Sequence, residues 1–293
     1  MDRRTFLTTI LQGSLAAALL PNSISSLLVT QYGQPEICQQ KMSISAIGVG
    51  SFGTYCTRLL AYSVPHISCH ELRIDYQQHN IPDFSGLVNA IQHSDLLFML
   101  ADTAQPLCSS VLSACVDAAA EAGVQVVIIG PNFPAYLQYS VCKPNSSPSC
   151  YCAADPIIAR NLIAMVSDLV NTTTFFAGVD FANVRASLHS ILRSGSNGIF
   201  IIGEASGANK GVLASKKVLT QLEQQVTSSN SYRGAMACIY CNSETYLNDF
   251  DQAIIELFRF FIPPPTNGFN IIYNCVIDNS LLDAARVAVL AIV

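Results

Sequence analysis

Gly48 stands within the run Ile44 to Val49, and Gly50 and Gly53 follow it. The spacing G-x-G-x-x-G serves where a strand turns into a helix beside a phosphate. A residue without Cβ lets the backbone come close, and the helix amides that follow attract the anion. Ser51 and Thr54 lie in the same turn, and Asp75 stands at the interval where a dinucleotide-binding unit places the carboxylate for its ribose hydroxyls. Taken alone, the pattern suits an NAD(P)-binding oxidoreductase. It suits equally any strand-to-helix turn too tight for a side chain.

Other reactive residues are not arranged for catalysis. His66, His70, His79, His93 and His189 stand at no spacing that forms a triad or an H-E-x-x-H zinc site. Gly195-Ser196-Asn197-Gly198 reads as a turn before a strand and lacks the G-x-S-x-G of a nucleophile elbow. Of eleven cysteines, Cys142, Cys150 and Cys152 fall in S-V-C-K-P-N-S-S-P-S-C-Y-C, whose Pro and Ser content predicts an exposed loop. In an oxidising compartment Cys142 would pair with Cys150 or Cys152; as a zinc pattern the three are weak. Cys238-x-x-Cys241 sits in an expected strand, where residues three apart point to opposite faces, so a redox pair is not expected. Cys108, Cys115 and Cys275 lie in apolar stretches and read as small core residues. Neither a catalytic thiol nor a metal site is expected.

The elements that would carry these residues alternate as a layered α/β chain. Strands are expected at Ile44 to Val49, Leu96 to Leu100, Val124 to Ile129, Ile199 to Ile202, Ala235 to Tyr240, Ile271 to Ile277 and Val287 to Ile292. Helices are expected at Leu107 to Ala122, Ile157 to Val170, Val212 to Gln224 and Phe250 to Phe261. Pro263, Pro264, Pro265 and Gly268 mark a connector. Over 293 residues, 51% are hydrophobic and 12% charged, ample apolar material for one large or two modest cores. A net charge of -5 without a basic run excludes the electrostatic footprint of a nucleic-acid binder.

The first residues, Asp2-Arg3-Arg4-Thr5-Phe6-Leu7, fit the twin-arginine export pattern, and the run Thr8 to Leu20 that follows carries no charge. That run is short for a bilayer-spanning helix and mildly hydrophobic, as an export signal is. Ala16-Ala17-Ala18 offers small residues without a clear cleavage site, so the segment is expected to direct the chain to the periplasm or to hold it at the membrane. The alternative is an amphipathic extension of a cytoplasmic protein.

One longer stretch carries more information. Gly178 to Gly211, G-V-D-F-A-N-V-R-A-S-L-H-S-I-L-R-S-G-S-N-G-I-F-I-I-G-E-A-S-G-A-N-K-G, resembles the part of FtsZ, the bacterial relative of tubulin, that holds an N-x-D-x-x-D loop, a helix and a strand ending in G-x-A-S-G. In that family the loop enters the nucleotide site of a neighbouring subunit, where its two carboxylates help activate water. Here the three positions read Gly178, Asp180 and Asn183, so one carboxylate remains. The likeness extends to I-S-A-I-G-V-G-S-F-G-T (Ile44 to Thr54), to Arg73–Gln77 as the end of the next strand, and to Ala153 to Val170 as the central helix. Asp155 falls near the carboxylate that recognises guanine. Arg233 to Tyr240, Asn248 to Phe261, Asn270 to Ile277 and Arg286 to Val293 follow the order of the FtsZ C-terminal domain.

The same resemblance exposes a departure. Where the family has G-G-G-T-G-T-G, the chain after Leu100 reads A-D-T-A-Q-P-L-C-S-S, without a glycine, with Pro106 lacking an N–H and Asp102 repelling phosphate. The stretch from Asp75 to Asp95 is also shorter than its counterpart. The resemblance therefore implies an α/β, tubulin/FtsZ-like architecture: an export signal and spacer over 1–40, a degenerate Rossmann-like nucleotide-binding domain over 41–155, a central helix and linker over 156–177, and a smaller C-terminal domain over 178–293. It implies a bacterial pseudo-GTPase that self-associates or joins another FtsZ-like protein. The cleft of Gly48, Gly50, Ser51, Gly53, Thr54, Asp75 and Asp155 is vestigial, as is the Asp180 and Asn183 loop, and no cofactor is expected. Two alternatives stay open beside the NAD(P) enzyme: a filament protein that still binds GTP or GDP, and a monomeric binding module on the same fold.

Overall fold

The computed structural model describes residues 42–74, 85–131, 149–171, 196–225, 232–243, 245, 247–261 and 270–293. Every residue of strands β1 (Ile44–Val49), β3 (Leu96–Ala101) and β4 (Gln125–Gly130) is buried. Unbroken apolar runs of this kind belong to parallel strands covered on both faces, and these three lie side by side in parallel. β2 (Ile67–Leu72) closes one edge, and β5 (Ser149–Ala153), β6 (Ser196–Ser206), β7 (Gly234–Cys241), β8 (Asn270–Ile277) and β9 (Ala284–Ile292) continue the sheet. The order is β2-β1-β3-β4-β5-β6-β9-β7-β8. β9 is inserted antiparallel between β6 and β7, while β8 is parallel to β7.

Helices α1 (Gly50–Ser63) and α4 (Pro156–Asn171) lie on one face over a core that includes Leu60, Phe98, Leu162, Val166, Cys238 and Leu290. The opposite face carries α2 (Ser85–Gln92) and α3 (Pro106–Ala122) on the N-terminal strands. There, too, α5 (Lys210–Gln225) and α6 (Leu247–Phe261) cover the C-terminal ones. α3 shows how the sequence sets its limits: Pro106 fills the first turn, where a missing N–H costs nothing, and Gly123 ends the helix at φ 71.

α4 joins the two parts of the sheet because its buried stripe, Ala159, Leu162, Ile163, Met165, Val166 and Leu169, faces strands from both. Its last carbonyls would be orphaned without partners from the sheet. Asn274 Nδ2 donates to the carbonyls of Asp168 and Leu169 at 3.1 and 3.4 Å, and Cys238 Sγ to that of Met165 at 3.5 Å. The Tyr240 hydroxyl donates to Asp168 Oδ2 at 3.0 Å.

All seven expected strands and four expected helices are present, most of them longer by a residue or more at one end. β6 is the largest change. It already includes Ser196, Asn197 and Gly198, so the expected turn is strand; the Asn197 and Val293 backbones exchange hydrogen bonds of 3.2 and 2.9 Å. The exposed-loop reading of the Cys150 and Cys152 segment is also overturned. Both are free thiols in β5, at 0% and 1% exposure, packed on Gly198, where a Cβ would lie 2.2 Å from Cys152 Sγ. Cys142 lies outside the described residues, as do the 262–269 connector and residues 1–41.

β2 is expected only as a strand end at Arg73–Gln77, and α2 not at all, because each offers the core too little. Only Ile67 and Leu72 of β2 are buried, and Leu87 and Ile91 are the core contacts of α2. β2 ends at Leu72, so the strand end placed at Arg73–Gln77 moves upstream, with 75–77 outside the description. Cys238 and Cys241 do face opposite cores, and Cys108, Cys115 and Cys275 are buried.

Candidate functional site at the carboxyl edge of the parallel strands

The chain leaves β1 for β2 on one side, while β3, β4 and β5 extend on the other. In such sheets ligands bind outside the carboxyl ends of the strands where the order reverses, here between β1 and β3. The turn leaving β1 holds Gly48, Gly50, Ser51, Gly53 and Thr54. A Cβ on Gly48 would lie 2.3 Å from the Gly53 carbonyl oxygen, and one on Gly53 2.1 Å from that of Leu100 in β3. Gly50 adopts φ 69, a left-handed conformation. All three glycines are thus demanded by backbone geometry alone. Thr57 Oγ1 closes the turn from inside, donating toward the carbonyls of Gly53 and Thr54 at 3.1 and 3.0 Å. Val49, the residue before α1, supplies no side-chain cap to its first amides.

Across the crevice, the turn from β3 into α3 is closed on itself. Asp102 Oδ1 accepts from the Ala104 N–H at 3.1 Å, its Oδ2 from Gln105 Nε2 at 3.2 Å, and its carbonyl from the Gln105 N–H at 3.2 Å. Ser109 Oγ donates to the Thr103 carbonyl at 3.2 Å. A carboxylate of the chain itself therefore stands in the turn just ahead of α3, which has no side-chain cap of its own, where an open loop would turn its amides outward. The sequence reading saw Asp102 only as a repelling charge. Its role as a partner for the amide two residues on is an Asx turn, a signal that was present in D-T-A.

Asp155 caps α4: its Oδ1 accepts from the N–H groups of Ile157 and Ile158 at 2.8 and 2.9 Å. The helix consequently starts at Pro156 and not at Ala153. Asp155 is exposed, as are Ile157 at 62% and Ile158 at 39%. It also lies near α1: burial pushes the Cys56 thiol up to about 12, and the Asp155 charge adds to the rise. The structure thus gathers five of the expected cleft residues in one turn and sets Asp155 at the head of the helix packed beside it. Asp75, Gly178, Asp180 and Asn183 lie outside the described residues. Among the described residues no three His, Cys, Asp or Glu side chains are grouped to hold a metal ion.

A doubly wound parallel half, a long helix shared by both halves and a mixed C-terminal half with β9 inserted between β6 and β7 define the tubulin/FtsZ fold. Solved structures agree on this over most of the chain. An FtsZ W319Y mutant from M. jannaschii superposes with a TM-score of 0.69 at 15% identity, covering 92% of this chain and 95% of its own. CetZ2 from Haloferax volcanii, solved as a GTPγS-bound protofilament, gives 0.55 at 11% identity over 85% and 92%. TubZ of Bacillus thuringiensis serovar israelensis, solved as GDP-form protofilaments, gives 0.50 at 10% identity over 85% and 84%. No family model and no curated protein matches the sequence.

Proposed function

We propose that this chain is a tubulin/FtsZ-fold protein that has given up GTP turnover and acts as a structural or self-assembling protein. The observation that carries the reading is the turn after β3, where Asp102 holds the Ala104 amide and the Gln105 side chain, and no glycine opens the backbone toward a phosphate. A triphosphate brought there would meet a fixed carboxylate instead of a nest of N–H groups. The partner is a second copy or another FtsZ-like protein. Stacking on the carboxyl edge would bury the exposed Ile157 and Ile158, and hydrophobic burial of that kind needs no nucleotide. The CetZ2 and TubZ protofilaments are what the fold does elsewhere.

The purified full-length chain is expected to release no guanine nucleotide on denaturation and, while folded, to hydrolyse no GTP and to sediment identically with and without it. GTP bound and turned over would end the pseudo-GTPase reading. GTP or GDP bound without turnover would promote a second reading, a nucleotide-binding filament protein, for which the uncapped first turn of α1 speaks. A sedimentation coefficient independent of concentration would leave a monomeric binding module.

The Arg3-Arg4 pair and the uncharged run behind it support a place in the periplasm or at the membrane. No helix among the described residues is long and apolar enough to cross a membrane. A reporter fused to the first 40 residues is expected to leave the cytoplasm, and Arg3→Lys with Arg4→Lys to stop it. A reporter that stays inside regardless would remove the export proposal.

A further inference from the structure

A second polar hollow lies toward the other end of β1, away from the glycine turn. Ser45 of β1 pairs in register with Ser68 of β2, and Ile47 with His70. Ser43, Ser45, Ser68 and His70 form one wall of a recess of about 260 Å³. The other wall is one stripe of α2, Gly86, Asn89, Ala90 and His93, at the i, i+3, i+4, i+7 spacing of a helix face. Leu87 and Ile91 turn the opposite way into the core. The stripe is hollow because two of its four residues are small, and a Cβ added to Gly86 would meet nothing within 4 Å.

The hydrogen bonds fix the polarity of this recess. Ser94 Oγ lies 2.7 Å from both the Ala90 carbonyl and Ser45 Oγ. The carbonyl can only accept, so satisfying both contacts sends the Ser94 proton to Ala90 and the Ser45 proton to Ser94, leaving the Ser45 oxygen as an acceptor. His93 Nδ1 lies 2.7 Å from the Asn89 carbonyl and must donate to it, which leaves the electron pair of the neutral ring on Nε2. An imidazole turned by a backbone carbonyl in this way is the arrangement that orients a metal-binding histidine. Among the described residues no Lys or Arg lines the recess. Two carboxylates adjoin its lining residues: Asp95, whose Oδ2 accepts from the Ser43 N–H at 2.9 Å, and Glu71, next to His70 in the chain and paired with Arg58.

Two imidazoles, hydroxyl oxygens and no competing cation suit a divalent ion of borderline softness better than an anion or a hard ion, which would seek carboxylate oxygens. We propose that His70 and His93 bind a divalent transition-metal ion of the zinc class, with hydroxyl oxygen and water completing its coordination. The ion would tie α2 to the edge strand β2. The two histidines are 23 residues apart on a strand and a helix, a separation no metal motif describes, so the sequence showed no sign of them. The inference stands apart from the pseudo-GTPase reading, since no residue of the carboxyl edge takes part.

The test is calorimetric titration of the metal-stripped full-length chain with Zn²⁺ and Ni²⁺, with Mg²⁺ as control, and optical spectra with Co²⁺ to identify the ligands. One equivalent of Zn²⁺ or Ni²⁺ is expected to bind, Mg²⁺ is not, and Co²⁺ should show nitrogen and oxygen ligation without a thiolate charge-transfer band. His70→Ala and His93→Ala should each weaken binding about tenfold or more. His66→Ala, outside the recess, should leave it unchanged. Neither recess histidine is a core residue, so both variants are expected to fold, which far-UV circular dichroism checks. Absence of binding, a thiolate band, or affinity indifferent to both histidines would overturn the proposal. So would histidine resonances that move with inorganic phosphate and not with Zn²⁺.

Discussion

Gly53→Ala is expected to destabilise the chain by about 3 kcal/mol or more, and Gly53→Val to prevent folding, because total stability is only about 5–15 kcal/mol. The new Cβ would sit 2.1 Å from the Leu100 carbonyl oxygen and 2.7 Å from the backbone of Gly48. Those neighbours belong to the central strands of the sheet and cannot yield as a flexible side chain would. Gly86→Ala is the matched control: its Cβ meets open space on a helix, so it should be neutral or stabilise by up to about 1 kcal/mol. Urea unfolding followed by circular dichroism reads both. An unchanged midpoint for Gly53→Ala would mean that the turn is not held by backbone packing. If the expected result is found, Gly48-x-Gly50-x-x-Gly53 is fully explained by how α1 leaves the sheet, and the pattern stops being evidence for a bound phosphate.

That outcome bears on what the sequence could tell. The strands that were legible are those with both faces covered, such as L-L-F-M-L, since burial on two sides leaves no polar alternation to confuse with a helix. β2, I-S-C-H-E-L, is an edge strand with polar residues on both faces, and it shows no period of two. β5 was hidden for a different reason. Its five residues follow a Pro- and Ser-rich stretch that reads as loop, and the two thiols that make it a buried strand act as small hydrophobes only once packed on Gly198.

The carboxyl edge was legible in its residues and not in their bonds. The glycines, Asp102 and Asp155 were all singled out, yet what decides their chemistry is which amides the carboxylates hold. Asp155 uses one oxygen on two N–H groups of α4, and Asp102 uses both oxygens near the start of α3. One helix end, that of α4, thus carries a built-in anion on its own amides, and the turn before α3 carries another just ahead of the helix. Neither α1 nor α3 has a side-chain cap on its first turn, but only the turn into α3 carries a carboxylate next to it.

Stability is expected to fall steeply as the pH rises above about 9. Burial pushes the thiols of Cys56 and Cys115 up to about 12 and that of Cys241 up to about 11. It also raises Cys238, Cys275 and the Tyr240 hydroxyl, while Cys150 is raised first by its hydrogen bond with Cys152. In the unfolded chain thiols lose their protons near pH 9. Between that pH and the folded values the native state binds more protons than the unfolded one, so each such thiol removes about 1.4 kcal/mol of stability per pH unit. Cys56, Cys115 and Cys241 together would remove about 6 kcal/mol by pH 10.5, a large part of the roughly 5–15 kcal/mol that holds a domain folded. Urea midpoints measured from pH 7.5 to 10.5 test this, and a flat profile would contradict it. Cys115→Ala separates the cause from a general effect of alkali: a cysteine at 0% exposure among apolar neighbours is replaced by a smaller apolar residue, which lowers stability at pH 7.5. The decline with pH should then be shallower by one proton. A slope identical to the parent's would show that burial of this thiol is not what alkali attacks.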